Sequence, residues 1–302
     1  MASNRPSNME YTDRGERETH HVHMCSGPPR THKTAKQEFT IANTVRFGEA
    51  LFIDGAIQST VADEGLYHTP LVHGSAAFLA HGPRNVLVIG GGEGCVAREL
   101  LRYDTIECIT QIDWDAELID YFKSGAGRMW NGGAYDDVRV KVVHEDVFET
   151  RALDGQLRYD LIIVDLCDPD EESIGLLKSL IVRLLSCLEP DGVLIANGGI
   201  VLPSCVGGEE SYARELMEYL EGLGGERNVF SYKVYVPSYM APWCLIGLAG
   251  RNTIGDWSRR FISGCDVRAW MTYDRSYDEA FERVNCAFMR GRGLVAPFEW
   301  GC

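Results

Sequence analysis

The sequence predicts an α/β fold in which a doubly wound parallel sheet carries a small antiparallel β-appendage on its N-terminal side. The first observation is the run Asn85-Val86-Leu87-Val88-Ile89, which leads into the glycine-rich residues 90–94 and then into a helical pattern. Such a run indicates a buried parallel strand, a tight turn and a helix start. The second observation is that strand and helix patterns alternate from there to residue 197, and the third is a group of short alternating runs before it.

Residues 1–36 are predicted to form a polar tail. They are rich in Asn, Ser, Thr, Arg and His and contain few large apolar side chains, so they bury too little surface to offset the entropy of ordering. We therefore expect this segment to be mobile. For its histidines His20, His21 and His23, a solvated cluster is a simpler interpretation than a set of metal ligands.

Residues 37–66 are predicted to form the β-appendage. The short runs Glu38–Ala42 and Arg46–Ile53 are separated by a polar residue at Asn43, and Asp54-Gly55 is a strong hairpin signal. These features are typical of a small antiparallel meander.

Residues 67–302 are predicted to form the main domain. A first helix of small and apolar residues is expected to end near His81-Gly82-Pro83. After the glycine turn, strands are predicted at 107–113, 138–144, 161–165 and 193–197, and helices at 116–122 and 174–188. Glycines let the backbone approach a ligand, and the helix start behind them offers unpaired N–H groups, so the turn is predicted to cradle a nucleotide.

The composition argues against several classes of function. The 302 residues are 45% hydrophobic and include 44 acidic against 29 basic side chains, which gives a formal charge of −15. Phosphate binding needs a basic face, so we expect no nucleic-acid partner. No apolar run reaches the length of a membrane span and the start of the chain lacks a signal-peptide core, so we expect no membrane association and a cytoplasmic location. The ten cysteines form no C-x-x-C pair, which is typical of thiols in a reducing compartment.

Polar side chains lie at or just after the carboxyl ends of successive predicted strands. In a doubly wound sheet these ends form one rim of one crevice, so several carboxylates are expected to share a small volume. Their mutual repulsion and desolvation would be offset by cations, and ammonium groups fit better than a metal because no histidine lies among these strand ends. The residues are Glu93, Gln111, Asp113, Asp146, Asp165 and Asp168.

Five motifs occur in order over roughly residues 37–250: Asp54-Gly55-Ala56-Ile57-Gln58, Asp63-Glu64, Tyr67-His68, Gly90-Gly91-Gly92-Glu93-Gly94 and Asp165-Leu166-Cys167-Asp168-Pro169. Together they resemble the polyamine aminopropyltransferases, the spermidine and spermine synthase family. Within that family, Glu93, the continuation at 97–102 and the segment at 236–243 are most similar to thermospermine synthases. The resemblance implies the Rossmann-like fold of S-adenosylmethionine-dependent methyltransferases.

The resemblance also implies an activity in polyamine biosynthesis. The family transfers an aminopropyl group from decarboxylated S-adenosylmethionine to a polyamine, either spermidine or putrescine, and releases methylthioadenosine. This co-substrate implies no bound cofactor or metal, and the family implies small-molecule partners and a homo-oligomer, either a dimer or a tetramer. The attacking amine must be unprotonated, whereas an aliphatic ammonium has a pKa of ~10.4, so a carboxylate must accept its proton.

Site roles follow from the resemblance, position by position. The proton acceptor is Asp165. The residues expected at the amines are Tyr67, His68, Glu93, Asp168 and Tyr239, and those expected at the donor are Gln37, Gly90, Gly92, Gln111, Asp146 and Val147.

Three departures from the family pattern leave alternatives open. The family carries an acid for the ribose hydroxyls where this chain has Gln111, the residues after Pro169 lack the usual Gly-Pro, and Val147 stands where spermidine synthases often have Gly. One alternative is an amine N-methyltransferase that uses intact S-adenosylmethionine. The other is a catalytically silent relative that binds a polyamine or a nucleoside and regulates a partner.

Overall fold

The structure is a computed structural model, and it describes residues 8–13, 19–154, 157–167, 171, 173–200, 212–223, 225, 227–250, 288–291 and 294–295. In chain order its strands are β1 (Asn8–Asp13), β2 (Thr19–Met24), β3 (Arg30–Lys33), β4 (Glu38–Thr44), β5 (Gly48–Ile53), β6 (Ala56–Thr60), β7 (Asn85–Gly90), β8 (Cys108–Ile112), β9 (Val140–Val143), β10 (Tyr159–Asp165), β11 (Leu188–Ile200), β12 (Asn228–Val236), β13 (Ala241–Ala249), β14 (Phe288–Gly291) and β15 (Leu294–Val295). The α-helices are α1 (Gly65–Thr69), α2 (Cys95–Leu100), α3 (Ala116–Lys123), α4 (Ile174–Cys187) and α5 (Tyr212–Leu223). A π-helix covers Pro70–Gly74, and 3-10 turns cover Gly127–Met129, Ala134–Asp136 and Pro237–Tyr239.

The central sheet has the order β9-β8-β7-β10-β11-β13-β12-β14-β15. Strands β7 to β11 are parallel, and β13 enters antiparallel between β11 and β12. The chain runs outward from β7 to β9 and then returns to place β10 on the other side of β7. This reversal is the topological switch point of a doubly wound sheet, where ligands bind beyond the carboxyl ends of the strands. The predicted fold class is confirmed.

Successive residues of the central strands point to opposite faces of the sheet, because side chains alternate along a strand. Val86 and Val88 pack with residues of the π-helix and α2 on one face. Leu87 and Ile89 pack with residues of α4 and α5 on the other face. The sheet is therefore buried on both sides, as the continuous apolar strand patterns predict.

The polar N-terminal segment differs from the predicted mobile tail. Strand β1 pairs with β2, and β3 pairs with β4, so the appendage is the four-stranded sheet β3-β4-β5-β6 and begins before residue 37. Thr31 Oγ1 and Thr40 Oγ1 lie 2.9 Å apart across β3 and β4, and the His32 ring stacks on Phe39. These cross-strand pairs depend on a partner strand, which the composition of the segment alone does not reveal.

Helix α3 joins the appendage to the central sheet. Its residues Leu118 and Phe122 are buried together with Phe39 and Leu51 of the appendage. This contact places the appendage over the carboxyl ends of the parallel strands. None of the helices in the described ranges has both the length and the apolar composition needed to cross a membrane.

Candidate active site

The glycine turn after β7 brings the backbone of β10 unusually close. Gly90 has a φ of 79°, and a Cβ at this position would lie 2.2 Å from the carbonyl oxygen of Asp165. The neighbouring Gly91 N–H donates to that same oxygen over 3.0 Å. Only glycine combines the positive φ with this approach, so the turn fixes the start of the Asp165 side chain beside itself.

A cavity of about 390 Å³ lies above the turn, between the central sheet and the appendage. Its walls come from both sheets, from α1 and from the loops after β8, β9 and β10. The residues predicted for the site that line it are Gln37, Tyr67, His68, Gly90, Gly92, Glu93, Asp146, Val147, Asp165 and Tyr239. Asp168 lies outside the described residues.

Asp165 ends β10 and faces this cavity. Its Oδ1 accepts a hydrogen bond of 2.8 Å from the Tyr67 hydroxyl. Burial and the negative charge of Glu93 raise the pKa of Asp165 to about 6, against the opposing influence of His68 and Tyr67. The carboxylate is therefore ionised above pH 6, and it is a stronger proton acceptor than an exposed aspartate.

His68 uses both ring nitrogens to join two carboxylates. Nδ1 lies 2.9 Å from Glu64 Oε2, and Nε2 lies 3.0 Å from Glu93 Oε1. Burial would lower the pKa of the imidazole, but hydrogen bonds and charges from both glutamates raise it to about 10. A doubly protonated ring is a donor at both nitrogens and offers no acceptor to an ammonium ion. These contacts hold Glu93 in the cavity wall.

An ion-pair group continues from His68 away from the cavity. Arg98 bridges Glu64 and Glu99 over 2.9 Å each, and His73 Nε2 lies 3.0 Å from Glu99. Burial raises the pKa of both glutamates, but His68 and Arg98 bring the pKa of Glu64 below its usual value, and His73, Arg98 and Arg102 hold that of Glu99 well below. We define the ion-pair group as Glu64, His68, His73, Arg98, Glu99 and Arg102.

Asp113 lies in the cavity wall just after β8, and it was predicted only as one of the strand-end acids. Burial raises its pKa to about 7, with a further contribution from the charges of Asp115, Glu93 and Asp165, although a hydrogen bond from the Asp115 backbone opposes this. Among the described residues, neither Asp113 nor Asp165 is a member of an ion pair within 4 Å. We refer to these two residues as the cavity acids.

Two of the predicted donor residues lie in the loop after β9. The Asp146 side chain accepts a hydrogen bond of 2.9 Å from the backbone N–H of Phe148. Val147 is buried and packs into the apolar cluster on the α4 face of the sheet. Both residues line the cavity, as does Gln37 from the appendage.

Gln111 behaves differently from the other predicted site residues, because it does not line the cavity. Its side-chain nitrogen donates to the carbonyl oxygens of Gly90 and Gly91, over 2.8 and 2.9 Å. The side chain is 1% exposed, and its Oε1 has no hydrogen-bond partner among the described residues. The amide thus supports the glycine turn from within the protein.

Three aromatic side chains form an aromatic wall of the cavity. The Tyr239 ring lies between those of Tyr67 and Trp243, with centroids 6.1 and 5.0 Å away. Its hydroxyl donates to the Gln58 carbonyl, and Trp243 Nε1 donates to Asn197 Oδ1 over 2.8 Å. Sequence reasoning missed Asn197 as a wall residue, although it is a polar residue at the end of an apolar strand pattern, as the strand-end acids are.

His23 is a second residue that sequence reasoning placed elsewhere. It was expected in a solvated cluster of the tail, but it is 7% exposed and lines the cavity. Its ring packs edge-on against Phe47 and Phe52. The strand β2 that carries it is held over the appendage, so the local composition gave no sign of this burial.

Two groups of side chains have potential metal-ligand atoms within 4.8 Å of one another, and both contain His68. One adds Glu64 and Cys95, and the other adds Glu93 and Asp165. A metal needs a neutral imidazole nitrogen, whereas both nitrogens of His68 donate to carboxylates. An ion at either group would therefore have to displace a contact between His68 and a carboxylate.

Comparison with known proteins agrees with this architecture. A polyamine aminopropyltransferase of Saccharolobus islandicus is 36% identical over 188 residues, which are 60% of this chain but only 58% of the relative, less than two thirds of its length. The corresponding protein of Sulfolobus acidocaldarius is 31% identical over 256 residues, 81% of each chain. The crystal structure of spermidine synthase from Thermotoga maritima shares the fold, with a TM-score of 0.71, 18% identity and coverage of 93% of this chain and 97% of that one.

The sequence profile of the spermine/spermidine synthase domain matches residues 64–255. This range contains the glycine turn, the cavity acids and the ion-pair group. The chain therefore belongs to the spermine/spermidine synthase family.

Proposed function

We propose that this protein transfers an aminopropyl group from decarboxylated S-adenosylmethionine to the amine of a polyamine. The observation that carries the proposal is the position of Asp165, a carboxylate of raised pKa in the cavity wall beside the glycine turn. Family membership supports the same reaction. Decarboxylated S-adenosylmethionine acts as a co-substrate and leaves as methylthioadenosine.

In this reaction the amine nitrogen attacks the carbon next to the donor sulfonium. A nitrogen–carbon bond forms while the carbon–sulfur bond breaks, and its electron pair neutralises the sulfonium to a thioether. The attacking nitrogen gives up one proton, which Asp165 accepts. The raised pKa of Asp165 narrows the gap to the pKa of ~10.4 of an ammonium ion, and this makes the proton transfer less unfavourable.

The remaining side chains are assigned by their place in the cavity. Glu93, held by His68, would bind the ammonium of the donor's aminopropyl arm, and Asp146 with Val147 would contact the adenine. Tyr67, Tyr239 and Trp243 offer aromatic faces to the methylene chain and cationic centres of the acceptor. Asp168 would hold a second ammonium, an assignment that rests on sequence alone.

For the acceptor, we propose spermidine in preference to putrescine, which corresponds to a thermospermine synthase type of activity. The motif resemblance supports this choice. A triamine carries one more cationic centre than a diamine, and acids in the cavity wall would stabilise it.

The test of the reaction is incubation with decarboxylated or intact S-adenosylmethionine, together with spermidine or putrescine, followed by mass spectrometry of the amine. An aminopropyl gain with the decarboxylated donor alone is expected. A methyl gain with the intact donor would identify an amine N-methyltransferase. Tight donor binding without product from either amine would identify a silent relative and overturn the proposal.

The same assay, run as a kinetic comparison, tests the acceptor. We expect a higher kcat/KM for spermidine than for putrescine. A clear preference for putrescine would replace the thermospermine-type assignment by that of a plain spermidine synthase, with the aminopropyl transfer itself unchanged.

A further inference from the structure

Glu64 belongs to the motif Asp63-Glu64, for which the proposed function gives no role. It directly precedes α1 and stands four residues before His68, so the two side chains lie on the same side of that helix. Its Oε2 lies 2.9 Å from His68 Nδ1, and its backbone carbonyl oxygen lies 3.0 Å from the same nitrogen. His68 Nδ1 thus faces two oxygen acceptors and must carry a hydrogen.

The other ring nitrogen of His68 faces a third oxygen. Nε2 lies 3.0 Å from Glu93 Oε1, and the His68 side chain is 1% exposed. A neutral imidazole carries a single hydrogen. With that hydrogen on Nδ1, the lone pair of Nε2 would face the negative oxygen of Glu93 and repel it. The contact between His68 and Glu93 therefore requires the doubly protonated ring.

Arg98 holds the Glu64 carboxylate in place and favours its ionised form. Its Nη2 donates to both carboxylate oxygens of Glu64 over 2.9 Å each, and its Nη1 donates to the Trp130 carbonyl oxygen over 2.6 Å. Burial opposes both charges, but these contacts lower the pKa of Glu64 and raise that of His68 to about 10. The second hydrogen of the His68 ring thus depends on a carboxylate outside the cavity.

The backbone of Glu93 has a support of its own. Asn131 is 1% exposed, and its Nδ2 donates to the carbonyl oxygens of Glu93 and Phe122 over 2.9 and 3.0 Å. The main chain at Glu93 is therefore fixed without Glu64. What depends on Glu64, through His68, is the direction of the Glu93 carboxylate.

We propose that Glu64 is a positioning residue for donor binding. Its charge keeps a hydrogen on His68 Nε2, and this hydrogen directs the Glu93 carboxylate toward the ammonium of the donor's aminopropyl arm. The inference rests on the proposed function, which assigns that ammonium to Glu93. Glu93 and His68 line the cavity, whereas Glu64 and Arg98 do not, so Glu64 acts on the donor without touching it.

Two ligands separate an effect on the aminopropyl arm from an effect on the whole site. Decarboxylated S-adenosylmethionine carries the arm with its ammonium, whereas methylthioadenosine lacks it. Calorimetry without an acceptor amine is expected to show that Glu64→Gln binds the donor at least about tenfold more weakly than the wild type, the scale of one charge-assisted hydrogen bond. Methylthioadenosine should bind both proteins equally. An equal loss with both ligands, or no loss with the donor, would overturn the proposal.

Glu99→Gln is the matched control. Glu99 contacts Arg98 over 2.9 Å, as Glu64 does, but its histidine partner is His73 and not His68. Circular dichroism identifies a temperature at which both variants are folded. There, Glu99→Gln should bind the donor as the wild type does. Equal weakening in the two variants would assign the effect to a general loosening of the ion-pair group and overturn the proposal.

Nitrogen NMR of the wild type tests the protonation state without any change at position 64. Both ring nitrogens of His68 should carry a hydrogen at pH 8, although an ordinary imidazole is neutral there. The resonances are assigned by their absence in His68→Gln. A neutral ring in the wild type would overturn the proposal. The charged and titratable groups around the ring are Glu64, Tyr67, Glu93, Cys95, Asp165 and, through Glu64, Arg98.

A double-mutant cycle locates the effect on Glu93. In a Glu93→Gln background, Glu64→Gln should cause no further loss of donor binding, because the carboxylate that it orients is gone. An additive loss would show that Glu64 acts by another route and would overturn the inference, with aminopropyl transfer by the wild type unaffected. A wild type that binds the donor but transfers no aminopropyl group would overturn the proposed function alone.

Discussion

The protein contains two sets of buried acids. Burial raises the pKa values of both sets, but the net shift is downward in one and upward in the other. In the ion-pair group, burial raises the pKa values of Glu64 and Glu99, but the net shifts are downward. The cations are His68, Arg98 and Arg102, whereas burial lowers the pKa of His73, which contacts Glu99 through a hydrogen bond. The cavity acids Asp113 and Asp165 form no ion pair within 4 Å in the described structure, and burial raises their pKa values to about 7 and about 6, although His68 opposes the rise at Asp165.

The two sets differ in whether their buried charges are balanced by cations within the protein. A buried carboxylate with cationic partners is stable when ionised, and removing one partner leaves an uncompensated charge. A buried carboxylate without them is stable only when protonated or when a cation arrives from outside the chain. The ion-pair group therefore stabilises the fold, whereas the cavity acids lower its stability and are suited to a cationic substrate.

The largest expected effect comes from breaking the ion-pair group. Glu99→Gln removes the charge that pairs with Arg98 and Arg102, so we expect the free energy of unfolding to fall by roughly 3 to 5 kcal/mol. Urea denaturation measures it. The control is Glu107→Gln, because Glu107 pairs with Arg84 at the surface, where both side chains are more than half exposed and little change is expected. Equal losses in the two variants would contradict the distinction between the two sets.

The next effect concerns Asp165, the proposed proton acceptor among the cavity acids. Asp165→Asn removes the acceptor but keeps the size of the side chain, so turnover should fall on the order of 10²-fold or more. Mass spectrometry of the amine product measures the rate, and binding of methylthioadenosine serves as the control and should persist. A variant that keeps the wild-type rate at neutral pH would remove Asp165 from this role.

A smaller effect is expected in the pH dependence of amine binding. The pKa of Asp165 is about 6, so at pH 5 only about one tenth of the carboxylate is ionised, while spermidine stays protonated up to a pKa of ~10.4. Calorimetry should show that spermidine binds about tenfold more weakly at pH 5 than at pH 8. The Asp165→Asn variant should show a flatter profile, and an unchanged profile would assign the titration to another group.

The smallest effect is a gain in stability. The folded-state pKa of Asp113 is raised, so its ionisation destabilises the folded protein as the pH rises from about 4 to about 7. Asp113→Asn should unfold with a free energy at least about 1 kcal/mol higher than the wild type at pH 8 and with a much smaller difference at pH 4. Denaturation curves at the two pH values test this, and a variant that is less stable at pH 8 would place Asp113 with the ion-pair group.

The comparison also shows what sequence patterns could and could not predict. Strand periodicity and the glycine turn predict the five parallel strands and the rim that carries Glu93, Asp113 and Asp165, because each signal is local to its own segment. His68 contacts carboxylates with both ring nitrogens, and the Gln111 amide donates to the glycine turn. Both arrangements depend on partners distant in sequence, which are Glu93 for His68 and the carbonyl of Gly90 for Gln111. Burial of His23 likewise depends on strands that meet only after folding.

The contact between Gly90 and the Asp165 backbone has a consequence for how this family can diversify. Main-chain atoms, which are the same in every protein sequence, fix the distance between the glycine turn and the proposed proton acceptor. No side chain sets this distance. Substitutions in the aromatic wall can then change which amine binds, while the distance between the glycine turn and Asp165 stays the same. Position 90 is closed to variation, because a single added carbon there would lie 2.2 Å from the Asp165 carbonyl oxygen and force the two strands apart.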